Sequence, residues 1–401
     1  MITLEQIKEI SVASPSKIVM LVMDGLGGLP DPKTGKTELE TASTPHLDHL
    51  TRSGICGLVD PVGSGITPGS GPSHLALFGY DPFRFTIGRG VLEGLGIGFE
   101  LRENDIAARG NFCTVDDQGL ITDRRAGRIT TDKCAELCAL LRQIELEGVE
   151  LFVLPVRDHR FLLVLRGERL AAELRDTDPQ RIGVAPNIAL ATEPQAKHTA
   201  HITNTFVDEA EEILAMHDPA NMILLRGFSK LPHIPSMDEI YKLKPAAIAR
   251  YPMYKGLAKL VGMKVFNADG GIEEELRILT DCYKEHDFFY VHVKETDSAG
   301  EDGDFNRKVK LIEEVDSALP QLLDLKPDVV VITGDHSTPA LLKGHSWHPV
   351  PVLLHSQWCR HDKAKQFSES ACASGGLGRF PAVDIMPLAM ANALKLTKFG
   401  A

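Results

Sequence analysis

The chain has 401 residues, with 43 lysines and arginines against 55 aspartates and glutamates, for a formal net charge of −12. That acidic surplus argues against generic nucleic-acid binding, and no apolar run reaches the roughly 18–20 residues of a membrane span. Length and an ordinary 43% hydrophobic content allow a large core and two domains.

The first seventeen residues lack the basic start and apolar middle of a signal peptide. The seven cysteines are odd in number and scattered, so they read as reduced thiols of a cytoplasmic protein rather than a disulfide frame. Cys134 and Cys138 have no matching pair nearby and read as core or surface thiols.

Along the chain, residues 17–24 form an apolar strand ending at Asp24. Thr44-Pro45 opens a helix with a threonine cap and proline in the first turn. The stretch 65–82 then holds Ser70 between glycines, just ahead of the apolar run that begins at His74. Glycine permits the tight backbone that presents a side chain from a loop, and a helix N-terminus offers free N–H groups and positive potential. A serine hydroxyl there suits a nucleophile held by a base or a metal, although a capping serine would look the same. From about residue 103 to 230 the texture changes to shorter strands and dense arginine, which reads as an inserted α+β unit. Residues 231–245 read as the return linker.

Residues 287–293 form a second apolar strand, which runs into the acid-rich loop 294–304 with Asp297 and Glu301. Residues 305–319 carry apolar positions at helical spacing, with Pro320 closing the helix. The strand 328–334 runs straight into Asp335-His336, His345 follows, and 383–394 reads as a last helix. Strands alternating with helices at both ends of the chain mark a mostly parallel sheet. In such a sheet the carboxyl ends of the strands share one rim, where ligands bind. Asp24, Asp335 and His336 with Ser70 would make one metal site, and Asp297, Glu301 and His345 a second. Carboxylates with a few imidazoles suit Mn²⁺, Mg²⁺ or Zn²⁺, and two such ions can clamp an in-line phosphoryl displacement. His292, mid-strand among apolar residues, reads as a core histidine.

The segments VMDGLGGLP at Asp24, TPGSGPSHLALFGYDP at Ser70, GRGVLEGLGIGFEL from Gly88, DRRAGRI from Asp123, TGDHSTP at Asp335, HPVPVLL and the terminal KFGA span almost the whole length. With them the chain resembles the archaeal-type cofactor-independent phosphoglycerate mutases of the alkaline phosphatase superfamily. The resemblance implies an α/β alkaline-phosphatase-like core with a mostly parallel sheet and helices on both faces, over residues 1–102 and 231–401. It implies a smaller inserted cap at 103–230, and interconversion of 3- and 2-phosphoglycerate through a phosphoserine without bisphosphoglycerate. Carried over by position, Ser70 matches the phosphorylated serine. Asp24, Asp335 and His336 match the ligands of one ion, and Asp297 and His345 those of the other. Glu301 stands where the family usually has histidine, which should favour harder ions, Mn²⁺ first, with Mg²⁺, Co²⁺ or Zn²⁺ as alternatives.

A doubly anionic substrate calls for arginine, whose planar fork binds oxyanions bidentately. Arg124, Arg125, Arg128, Arg157, Arg160 and Arg226 in the insert, with Arg89 and Lys255 outside it, are the expected contacts. Asp123 and Asp158 both stand open as proton partners of the glycerate hydroxyls. A lid that keeps water from the phosphoserine would separate mutase from phosphatase. The rival readings are a metal-dependent phosphohydrolase, a mutase of another phosphorylated metabolite, and a non-catalytic binding protein that retains the fold. Phosphoglycerate is the only partner implied, with neither nucleic acid nor membrane, and the oligomeric state is left open.

Overall fold

The computed structural model describes residues 3–400. The first two residues of the N-terminal stretch and Ala401 of the KFGA motif lie outside them. In chain order the strands are β1 (Ile18–Met23), β2 (Ile55–Asp60), β3 (Ile106–Val115), β4 (Ile121–Asp123), β5 (Val149–Arg157), β6 (Arg160–Gly167), β7 (Met222–Ser229), β8 (Pro245–Ala249), β9 (Lys264–Asn267), β10 (Phe288–Val293), β11 (Val329–Thr333), β12 (Val350–Ser356) and β13 (Gly378–Pro381). The chain divides into two compact units, one of Met1–Thr86 with Ile234–Ala401 and one of Ile87–His233.

The first unit is built on an eight-stranded sheet in the order β13-β2-β12-β11-β1-β10-β8-β9. All of its pairings are parallel except those of β12, which runs antiparallel to β11 and β2. The three central strands read IVMLVM, FFYVHV and VVVIT and are buried throughout. Continuous apolar runs of this kind are what strands covered on both faces require. Register does the rest: Met23 lies beside Val293 and Val22 beside Thr333, so the residues after all three strands emerge at one rim.

Four local expectations are corrected. The acid-rich stretch after β10 is a helix, Glu295–Asp302, ended by Gly303 at φ 75°, the left-handed residue that commonly closes a helix. Thr44 makes no side-chain cap for the helix Pro45–Arg52. The Asp316 carboxylate accepts from His46 N at 3.3 Å and Leu47 N at 2.7 Å instead. Pro320 lies inside the helix Phe305–Leu323, whose last turns are held by buried Leu319 and Leu322. The expected linker is packed, with Met237, Ile240 and Tyr241 buried and Tyr80 Oη donating to Pro235 O at 2.8 Å.

The second unit is an antiparallel sheet, β4-β3-β6-β5, with β7 also paired to β3. Helices Thr131–Leu141 and Lys197–Leu214 place Leu137, Leu141, Phe206 and Leu214 in one core with Phe112, Phe161 and Leu224. The unit begins at Ile87, against the 103 expected from texture. The helix Arg89–Gly96 lies so close on β3 that a Cβ at Gly90 would meet Ala107 O at 2.1 Å. Cys134 and Cys138 are buried in this core, and all seven cysteines are free. Among the described residues no helix is long and apolar enough to cross a membrane.

Glu275, on the helix Ile272–Cys282, is 2% exposed, and its Oε2 has no hydrogen-bond partner. Burial, with Glu295 nearby, pushes its carboxyl up to about 9. The folded state therefore favours the protonated acid. The stability this residue contributes is complete below its unfolded value near 4.5 and is lost as pH rises towards 9. Glu275→Gln is expected to stabilise the protein by about 1–3 kcal/mol at pH 8. In urea melts the gap from wild type should close as pH falls towards the acid range.

Candidate active site and metal centre

Asp24 follows β1 directly, and its backbone N donates to Val293 O at 2.9 Å, which fixes where its side chain starts. Asp335 and His336 follow β11 through Gly334, and Asp297 sits in the first turn of the helix Glu295–Asp302. Ser70 opens the helix Ser70–Leu77 after Gly69 and is half-buried.

These residues converge. His336 Nε2 lies 3.3 Å from Asp24 Oδ1, 3.1 Å from Asp335 Oδ2 and 3.4 Å from Ser70 Oγ. His345 stacks on His336 with centroids 3.6 Å apart, and its Nε2 is 3.6 Å from Asp297 Oδ1. Asp24, Asp335 and His336 form one compact donor set and Asp297, His336 and His345 another, the atoms in each lying within 4.8 Å of one another. Glu301 belongs to neither set. It lies one helical turn beyond Asp297, half-exposed, with Oε1 4.0 Å from His345 Nε2.

Hydrogen bonds behind the site orient both imidazoles. Thr338 Oγ1 donates to Asp297 Oδ1 at 2.7 Å and stands 2.9 Å from His336 Nδ1. Its proton is committed, so His336 carries hydrogen on Nδ1 and keeps the Nε2 lone pair for the cluster. His345 Nδ1 donates to Pro68 O at 2.9 Å, which frees its Nε2 in the same way. Pro68 belongs to the Ser70 loop.

Electrostatics separate the two aspartates of the first set. Burial alone would raise Asp24, but His292, Lys294 and His336 outweigh it and hold its carboxyl well below the usual range. Burial and the charge of Asp24 drive Asp335 well above that range. Burial holds His336 well below 6.5 and His74 near 3. Asp24 Oδ1 is buried without a hydrogen-bond donor. Acidic residues gathered in a buried pocket, with one oxygen orphaned and imidazole lone pairs turned inward, are the donor chemistry a divalent cation needs. The residues present fit such ions.

Sequence reasoning missed several neighbours of this cluster. Tyr254 Oη donates to Asp24 Oδ2, and His292, expected as a satisfied core histidine, lies 3.4 Å from that oxygen with neither ring nitrogen hydrogen-bonded. His74 Nδ1 is 2.8 Å from Ser70 O and 3.3 Å from Asp335 Oδ2. Lys294 bridges Asp24 and Asp297. Its place directly after β10 is the one sequence signal that could have found it. Lys255 donates to Asn267 Oδ1 at 3.1 Å.

In the second unit the arginines divide. Arg109, which sequence reasoning missed, pairs in register with Arg226 across β3 and β7, although like charges directly opposite destabilise a sheet. Burial pushes Arg109 down to about 10, with Arg160, Arg89 and Arg226 pressing the same way against Glu93, whose Oε1 is 3.2 Å from Arg109 Nε. Arg124 is committed to Asp178 through two hydrogen bonds, at 3.0 and 2.6 Å. Arg125, Arg128 and Arg157 are exposed. Asp123 accepts from Arg125 N and Gly127 N, so it holds its own turn, and Asp158 lies 3.9 Å from Arg157 Nε.

Thr338→Val removes the partner that orients both His336 and Asp297. Manganese affinity measured by calorimetry should fall about ten- to a hundred-fold, with the far-ultraviolet circular dichroism unchanged.

Comparison with known proteins identifies relatives of the whole chain. A family model described as 2,3-bisphosphoglycerate-independent phosphoglycerate mutase matches residues 51–221. A Thermus thermophilus protein named a probable enzyme of that kind is 50% identical over 400 residues, covering 98% of each chain. The Aquifex aeolicus protein of the same name is 49% identical, over 99% of this chain and 100% of its own. The solved structure of a Pyrococcus horikoshii protein matches with a TM-score of 0.82 at 31% identity, over 97% of this chain and all of that one. The cofactor-independent phosphoglycerate mutase of Thermoplasma acidophilum matches at 0.75 and 31%, over 94% of this chain and 100% of its own.

Proposed function

The chain belongs to the 2,3-bisphosphoglycerate-independent phosphoglycerate mutase family, and from that premise we propose that it interconverts 3-phosphoglycerate and 2-phosphoglycerate through a phosphoserine at Ser70. The observation that carries the reading is the position of Ser70 Oγ, 3.4 Å from His336 Nε2 at the first turn of a helix. Free N–H groups at that helix end favour a phosphoryl group on the serine. Ser70 Oγ takes the group as the ester oxygen of the substrate leaves, and hands it to the neighbouring hydroxyl of the retained glycerate.

Asp24, Asp335 and His336 with Ser70 would hold one ion, and Asp297 and His345 the other, with Glu301 at its edge. When bound, the ions supply Lewis acidity and cancel the charge gathered around the transferring group. Oxygen-rich donors put Mn²⁺ first, with Mg²⁺, Co²⁺ or Zn²⁺ as substitutes. The second unit serves the substrate. Arg89, Arg109, Arg160 and Arg226 form a self-repelling cluster that a phosphate or carboxylate relieves. Arg124 holds Asp178 beside Arg226, while the exposed Arg125, Arg128 and Arg157 are candidates to capture an anion. Lys255 adds positive charge on the helix Pro252–Leu260. The seven free thiols support a reducing compartment.

Purified protein with Mn²⁺ and 3-phosphoglycerate, and no bisphosphoglycerate, should form 2-phosphoglycerate with little free phosphate. Phosphate release alone would favour a hydrolase. Ser70→Ala is expected to lower isomerisation about a thousand-fold or more while substrate still binds, read by steady-state kinetics beside calorimetry. Glu301→His should shift the order in which Mn²⁺, Co²⁺ and Zn²⁺ activate, and an unchanged order would remove Glu301 from the ion's surroundings.

A further inference from the structure

Lys294 follows β10 directly and immediately precedes the helix Glu295–Asp302. Its side chain is 21% exposed, and its ammonium lies 3.1 Å from Asp24 Oδ2 and closer still to Asp297 Oδ2. One carboxylate belongs to each donor set, so the ammonium joins the two sets. The oxygens divide between two sides. On the Oδ2 side stand Lys294, Tyr254 and His292 at Asp24, and Lys294 at Asp297. On the Oδ1 side stand His336 at Asp24, and His345 with Thr338 at Asp297. The orphaned buried oxygen, Asp24 Oδ1, is on that second side.

The ammonium thus draws on the same two carboxylates as the ions, through different oxygens. The geometry points to Lys294 as a built-in counter-ion, a positioning residue that holds the two ligand sets together without metal and, as a fixed positive charge beside them, weakens divalent-ion binding. Without it, the buried Asp24 and Asp297 would face each other with no ammonium between them, and the metal-free site would tend to spread. With it, the ligands stay assembled and the ions stay exchangeable. The inference rests on the metal reading of the site and adds to it what sets ion affinity.

The test is Mn²⁺ titration by calorimetry on the full-length, metal-stripped protein, with thermal melting of the same samples. Lys294→Met should bind Mn²⁺ about ten-fold or more tightly than wild type, because removing a like charge a few ångströms from a dication strengthens its binding. Its metal-free form should melt lower, and added Mn²⁺ should raise its melting temperature by more than it raises that of wild type. Lys294→Arg keeps the charge and should bind Mn²⁺ within about three-fold of wild type. Equal or weaker Mn²⁺ binding by Lys294→Met overturns the counter-ion role, and so does tightened binding by Lys294→Arg. If the methionine variant does not fold, Lys294→Gln carries the same expectation. A wild-type chain that takes up no Mn²⁺ would overturn the metal reading along with the inference, whereas failure of the variants alone leaves the metal reading standing.

Discussion

The site depends on one constraint: three acidic strand ends are forced onto a single rim by parallel pairing. β1 is held between β10 and β11, and its register leaves Asp24 one residue past the Met23–Val293 pair, with its N donating to Val293 O. The strands are apolar on both faces, so the polar groups that function needs are confined to their ends. Asp24 and Asp335 are fully buried there and Asp297 almost so. An isolated buried carboxylate is too unfavourable to persist, so each must be protonated, hydrogen-bonded or matched by a cation. All three solutions appear together: Asp335 is driven towards its acid, Asp24 receives the Tyr254 hydroxyl, and Lys294 stands between Asp24 and Asp297.

A second buried cation fixes the loops from behind. Lys308, on the helix Phe305–Leu323, is fully buried and donates to Gly25 O at 2.8 Å, Gly27 O at 3.0 Å and Thr338 O at 2.9 Å. The first two carbonyls belong to the turn after Asp24 and the third to the loop after His336. One ammonium thus ties the two loops that supply most of the first donor set. Glu38 and Glu369 pull the Lys308 charge up against the burial that lowers it. The tight turn after Asp24 leaves little room for change, since a Cβ at Gly25, whose φ is 65°, would come within 2.9 Å of Asp297 Cα. The ligand positions therefore belong to the scaffold and do not wait for an ion.

How much of this was legible follows from the physics of each residue. Long apolar runs ending in Asp24 and Asp335-His336 announced themselves, because a fully buried strand leaves no other place for acid. Asp297 was visible but its setting was misread, since the polar run after β10 carries no helical periodicity and only Gly303 marks where that helix stops. Arg109 was invisible because one charge inside a strand looks like a solvated residue until its cross-strand partner is known to be Arg226. Tyr254, His74 and His292 were hidden for the opposite reason. Each sits in apolar sequence that reads as core, and each is core, with polar atoms turned to the site. The carboxylate that replaces Thr44 as a helix cap comes from Asp316, some 270 residues away in sequence, and no local rule can reach that far.

Each unit, taken by itself, gathers ionisable groups of mainly one sign. In the first, Asp24, Asp297, Asp335 and Glu301 gather around Lys294, with the Lys308 ammonium also within electrostatic reach of Asp24 and Asp297, and burial raises Glu301 with Asp297 adding to it. In the second, Arg89, Arg109, Arg160 and Arg226 press on one another with Glu93 and Asp178 in partial relief. A protein selected for stability alone would neutralise both, since apolar replacements for buried charge are often neutral or stabilising. Under the proposed function, ligands would complete the balance, divalent cations at the first cluster and a multiply charged anion at the second. A phosphorylated hydroxy acid would suit the second cluster. Neither cluster follows from the overall charge of −12, which would by itself discourage an anion. The chemistry is set by where the charges are confined.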